Sequence, residues 1–207
     1  MLSTKEFFKK HSQPVDKVIF LDFDGVLSCS RTYMFADGNL AFDPVAVKIL
    51  QNICEIGNAR IVCTSTRTGM AGRDYDLLYH ETKVHFERAG FDWSFMHPDW
   101  TVNKPDFLDR KGNIEKYLER HPEIKKWAIV DDEKVDMPEF VKIDENNGIS
   151  YENFEEICIF LNVSMADVHE IDYYKEGDIG QYLLPFDSWN TDWNEKFVRK
   201  ENKLKQP

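Results

Sequence analysis

The stretch Val18-Ile19-Phe20-Leu21-Asp22-Phe23-Asp24-Gly25-Val26-Leu27 decides how this chain is read. An apolar run this short, without a polar break, reads as a strand buried on both faces. Two carboxylates one residue apart then lie on the same side of an extended backbone, where they repel. Either a positive group offsets them or the strand ends there. Gly25 supplies the conformational freedom for a turn that ends it.

Outward from this stretch, strand-like and helix-like segments alternate. Asp43-Pro44 reads as an N-cap followed by proline at the first helical position. Val47, Leu50 and Cys54 follow at helical spacing, with Gly57 as the expected stop. Residues 60–64 (RIVCT) form a second buried strand. Residues 74–89 predict a helix whose apolar face is Leu77, Leu78, Val84 and Phe86, ended by Gly90. A short strand is expected around Phe91–Phe95. A helix is expected over Asn113–Leu118, a strong strand over Trp127–Val130 and a weaker one over Val141–Ile143. Ser150 caps a last helix in which Phe154, Ile157, Cys158 and Leu161 recur at i, i+3, i+4 and i+7. Short connections between alternating strands and helices imply an α/β fold, a doubly wound, Rossmann-like parallel sheet flanked by helices. The expected core is residues 1–164. Residues 165–207 form an acidic and aromatic extension in which Trp189, Trp193 and Phe197 fall at i, i+4 and i+8. It either docks on the core or contacts a partner.

The totals fit one substantial domain. Of 207 residues, 42% are hydrophobic, and the formal charge is −11. That balance argues against a general grip on nucleic acid, which needs a basic face, and suits binding of divalent cations. The four cysteines (Cys29, Cys54, Cys63, Cys158) show no C-x-x-C spacing and read as buried thiols in a reducing compartment. Residues 1–13 lack the apolar core of a signal peptide, and no run approaches the ~20 apolar residues of a membrane span. A soluble, cytoplasmic protein is expected. The six histidines show no H-x-x-x-H, which argues against zinc, and no G-x-S-x-G supports Ser-His-Asp hydrolysis.

Each strong strand ends in polar chemistry: Asp22 and Asp24, then Thr64-Ser65-Thr66-Arg67, then Asp131-Asp132. Ligands of doubly wound sheets bind beyond the carboxyl ends of the strands. Carboxylates converging there make an oxygen-rich site that suits Mg²⁺. With a cation present, Asp22 can attack phosphorus and split a hydrolysis into two easier steps, while Asp24 shuttles the proton. Gly25 would then turn backbone amides toward the phosphate.

In the order Asp22-Phe23-Asp24-Gly25-Val26-Leu27, Thr64-Ser65, Lys111-Gly112-Asn113 and Asp131-Asp132, the chain resembles the phosphatase branch of the haloacid dehalogenase-like (HAD) superfamily over about residues 17–162. The resemblance implies Asp22 as nucleophile and metal ligand, and Asp24 as general acid/base with its backbone carbonyl on the metal. It implies Ser65 (or Thr64) as the phosphoryl-binding hydroxyl and Lys111 (or Lys104) as the neutralising cation. Asp131 and Asp132 would complete a metal set of Asp22, Asp24, Asp131 and Asp132 for Mg²⁺. The spacing is most similar to the HAD domain of predicted RNA-repair proteins. Neither inter-motif segment has room for a full cap domain. In this family that implies an open site and a phosphorylated macromolecule as substrate. Net acidity favours a phosphoprotein, including phosphotyrosine packed against Tyr33, Phe35, Trp93 or Trp100. Arg31, Arg67, Arg73 and Arg110 could instead line a groove for a nucleic-acid end in RNA repair. A phosphotransferase and a non-catalytic binding module that kept the fold are the remaining alternatives.

Overall fold

The computed structural model describes residues 15–33, 42–68, 75–102 and 109–164. Among them five strands form one sheet: β1 (Lys17–Leu21), β2 (Ala59–Cys63), β3 (Met96–Thr101), β4 (Lys126–Asp131) and β5 (Phe140–Lys142). All pairings are parallel, in the order β3-β2-β1-β4-β5. The chain winds outward from β1 in both directions, so the topological switch lies at β1. This is the doubly wound α/β fold expected.

Alternation along β1 assigns its side chains to two cores. Ile19 and Leu21 join Ile61, Cys63, Ala128 and Val130 on one face. There they meet α1 (Pro44–Gly57), α2 (Tyr75–Arg88) and α4 (Tyr151–Leu161). Val18 and Phe20 point the other way, onto Ile114 and Tyr117 of α3 (Arg110–Arg120). Both faces are covered, which is why strands β1 and β4 carry no alternation of polar residues.

The caps form as the sequence requires. The Asp43 carboxylate accepts from the Val45 N–H at 2.9 Å with Pro44 behind it. Ser150 and Asn153 make a reciprocal capping box at α4. Gly57 is not the stop of α1. The left-handed residue is Asn58 (φ 48°), and Gly57 is instead needed for space, because a Cβ there would lie 2.6 Å from Cγ2 of Val163.

Two expectations on the far side of the sheet change. The buried face of α2 is Leu78, Tyr79, Thr82 and Phe86, with Leu77 and Val84 exposed. Residues Trp93–Phe95 form a 3-10 turn, and the strand follows as β3. This strand contains Pro98, which the sheet edge tolerates. Its ladder to β2 is irregular: Ile61 pairs with Met96 and Cys63 with Thr101. Trp93 and Trp100 lie within the aromatic core around Tyr79 and Phe86, 2% and 0% exposed, so neither is a rim platform. The Tyr33 side chain, Phe35, Arg73, Lys104 and all of residues 165–207 lie outside the described residues. The stretches between the described segments are of eight, six and six residues, shorter than a cap domain. All four cysteines are buried and unpaired. Among the described residues no helix is long and apolar enough to cross a membrane.

Candidate functional site

β1 delivers Asp22 to the carboxyl edge of the sheet, where its N–H still donates to the Val130 carbonyl at 3.1 Å. The residue is 4% exposed. The Phe23 N–H donates to Asp22 Oδ1 at 2.8 Å, and the Ser65 side chain, at the end of β2, hydrogen-bonds the same carboxylate. Burial raises the Asp22 pKa, and this outweighs Arg110 and those hydrogen bonds, which lower it. Ser65 is fully buried. The hydroxyl of Thr68 donates to its carbonyl at 2.7 Å, fixing the turn that aims Ser65 at Asp22.

β4 delivers Asp131, also fully buried, whose Oδ1 accepts from the Glu133 N–H at 2.8 Å. Burial, and then the Asp22 charge, push its carboxyl up to about 7. Asp132 is half-buried, and its pKa is raised by burial and then by Asp22. Carboxylate oxygens of Asp22, Asp131 and Asp132 lie within 4.8 Å of one another. Gly25 (φ 71°) passes directly over this group, since a Cβ there would stand 2.3 Å from Asp132 Cγ. The turn is thus closed onto the acids, and only glycine fits it. Its amides are spent inside the loop: Gly25 donates to the Ser28 carbonyl, and Val26, Leu27 and Ser28 donate to that of Phe23.

The cation at the carboxylates is Arg110. Its Nη1 lies 3.1 Å from Asp22 Oδ2 and also contacts Asp131 Oδ2. These two carboxylates outweigh burial and raise its pKa. Lys111, expected in this place, turns outward with its Nζ 3.9 Å from Glu115 and its side chain 42% exposed. The reason is helical phase. α3 starts at the Asp109 cap, and its buried residues are Ile114 and Tyr117. Arg110 stands at i−4 and i−7 from these, on the same face, and Lys111 is about 100° away. That spacing was readable in the sequence and points to Arg110.

Asp24 is separate from the three-carboxylate group, its carboxylate paired with Arg67 at a partly exposed rim. Lys142 of β5 donates to the Asp132 carbonyl oxygen, adding a further rim cation. Arg31 is occupied with Asp43. Asp22, Asp131 and Asp132 fit Mg²⁺ on donor chemistry: all are hard oxygens from two strand ends. One guanidinium facing three carboxylates, two of them almost fully buried, leaves negative charge that a divalent ion would balance.

Acids at the ends of β1 and β4, a buried hydroxyl at the end of β2 and this strand order define a HAD-like domain of the HAD-type hydrolase class. The chain belongs to the family described as the HAD domain in Swiss Army Knife RNA repair proteins, whose family model matches residues 18–154. No curated protein and no solved structure matches the chain.

Proposed function

We propose that this domain is a phosphomonoester hydrolase working through Asp22, with the terminal phosphate of an RNA strand as its substrate. The observation that carries the chemistry is the Asp22 carboxylate, buried at the topological switch point, hydrogen-bonded by Ser65 and grouped with Asp131 and Asp132. An Asp22 oxygen attacks phosphorus, and the bond from phosphorus to the leaving oxygen breaks as Asp24 protonates that oxygen. Asp24, now ionised, takes a proton from water as the water attacks the aspartyl-phosphate, which releases phosphate and restores Asp22. Ser65 and Arg110 hold the phosphoryl oxygens, and Arg67 keeps Asp24 at the rim beside the leaving group. Mg²⁺ held by Asp22, Asp131 and Asp132 would neutralise charge on the phosphoryl oxygens; the Asp24 carbonyl is a further ligand the family resemblance implies.

RNA is preferred for two reasons. The family matched is one of RNA-repair proteins. Of the aromatic residues that suited phosphotyrosine, Trp93 and Trp100 are core. The contact of Arg110 with Asp22 and Asp131 favours one second reading, a retired site whose charges are neutralised from within.

Hydrolysis of p-nitrophenyl phosphate with and without Mg²⁺, using Asp22→Asn as control, tests the chemistry. Mg²⁺-dependent turnover that falls by at least ~10³-fold in the variant is the expected result. No turnover on p-nitrophenyl phosphate or on 3′- and 5′-phosphorylated RNA by the well-folded protein would support the retired site.

A further inference from the structure

We propose that His97, His121 and Glu123 form a second metal site, suited by its donors to Zn²⁺, that ties the start of β3 to the end of α3. A ring nitrogen of each histidine and a Glu123 carboxylate oxygen lie within 4.8 Å of one another. Two imidazoles and a carboxylate are a zinc donor set, and water can fill a fourth position. The group is graded in exposure, with His97 buried, His121 half-buried and Glu123 exposed, so an ion has a path from solvent. It lies at the far end of α3 from Arg110, about 15 Å along the helix, and none of the proposed chemistry uses it.

The surrounding contacts are those of a metal site's outer layer. His97 Nδ1 is 2.5 Å from the Tyr117 hydroxyl, which donates to the Asp99 carbonyl at 2.7 Å. The Asp99 N–H donates to the same Nδ1 at 3.2 Å, so two contacts fix the orientation of the His97 ring beside the group. His121 Nδ1 lies 2.9 Å from Glu123 Oε1, and its Nε2 lies 3.1 Å from Asp99 Oδ2. Asp99 is also 3.6 Å from Arg120 Nη2. Asp99 and Glu123 bring two carboxylates to the group, with Arg120 beside Asp99, so a divalent cation would find net negative charge there. The histidines come from separate elements, 24 positions apart in the chain, so no short spacing reveals them. The irregular β2–β3 ladder is what frees His97 from regular pairing.

The test is titration of the full-length, chelator-stripped protein with Zn²⁺ in excess Mg²⁺, followed by calorimetry and by Tm. Co²⁺ serves as the spectroscopic probe. Stoichiometric Zn²⁺ uptake is expected, with a Tm rise of roughly 5–10 °C at a hundredfold excess over Kd. Co²⁺ should give the intense visible bands of a four-coordinate nitrogen and oxygen site. His121→Ala and the surface change Glu123→Gln should each weaken uptake at least ~10-fold, and Asp131→Asn should leave it unchanged. No uptake, or uptake lost in Asp131→Asn and kept in both other variants, would overturn the proposal.

Discussion

Arg110 and Lys111 are adjacent in the chain and opposite in consequence. The Arg110 side chain is 17% exposed and touches two carboxylates that are 5% and 0% exposed. Lys111 makes one exposed i,i+4 pair. Removing one member of a buried charge group costs more than the group contributes, because the partners stay buried and unpaired. Arg110→Gln should therefore lower stability by about 3 kcal/mol in chelator, roughly 6–12 °C in Tm. Lys111→Gln should stay within about 0.5 kcal/mol. Mg²⁺ should return part of the loss in Arg110→Gln, since it neutralises the same oxygens. Scanning calorimetry with and without Mg²⁺ measures all three, and equal losses in the two variants would put Lys111 back at the site. Among single residues, the acids Asp22 and Asp131 and the hydroxyl of Ser65 were legible because strand ends fix their place. The motif spacing points to Lys111, whereas helical phase selects Arg110, the cation that lies beside Asp22.

The same contrast holds among the elements. Strands β1, β2 and β4 were legible because burial on both faces demands unbroken apolar runs. β3, read as His97-Pro98-Asp99-Trp100 within its bounds, carries a proline and an acid that only an irregular edge strand accepts. On α2, Leu77 and Val84 attract a periodicity reading, yet Tyr79 and Thr82 are the residues that turn inward. Their partners Trp93 and Trp100 lie later in the chain, so local pattern could not choose. At the end of α1, Gly57 looked like a stop signal and is a packing requirement. Alanine is the better helix former by about 1 kcal/mol. Its Cβ would meet Val163, a stiff β-branched residue packed on the core. Overpacking of this kind costs about 1–3 kcal/mol, so Gly57→Ala should be net destabilising by about 1 kcal/mol. Adding Val163→Ala should recover much of the overpacking cost. Urea unfolding of the two single variants and the double variant measures the coupling, and additive effects would refute the contact.

Over the whole molecule the formal charge of −11 and the charge of the site's rim point to different partners. Arg110 faces Asp22 and Asp131, Arg67 pairs with Asp24 and Lys142 donates to the Asp132 carbonyl, so three cations stand at or beside the carboxylates. Among the described residues the buried core runs from Val15 to Leu161. On our reading the catalytic unit is residues 1–164, and a chain ending at 164 should fold and keep most of its turnover of p-nitrophenyl phosphate; loss of cooperative unfolding would make 165–207 structural. A terminal RNA phosphate would bring adjacent backbone phosphates over Arg67 and Lys142, whereas a phosphopeptide brings no such series. Two backbone phosphates neutralised on a single strand give a log–log salt slope of about −1.4. Asp22→Asn protein should therefore bind 3′- or 5′-phosphorylated oligonucleotides with about that slope, measured by fluorescence anisotropy in Mg²⁺. Arg67→Gln with Lys142→Gln should flatten the slope by about 1.4 and weaken RNA of every sequence alike. A free phosphomonoester should lose far less from the pair of changes, because Ser65 and Arg110 still hold its phosphoryl group. If phosphopeptides bind more tightly than RNA and the slope is flat, the net acidity of the chain governs its partners and the substrate is a phosphoprotein.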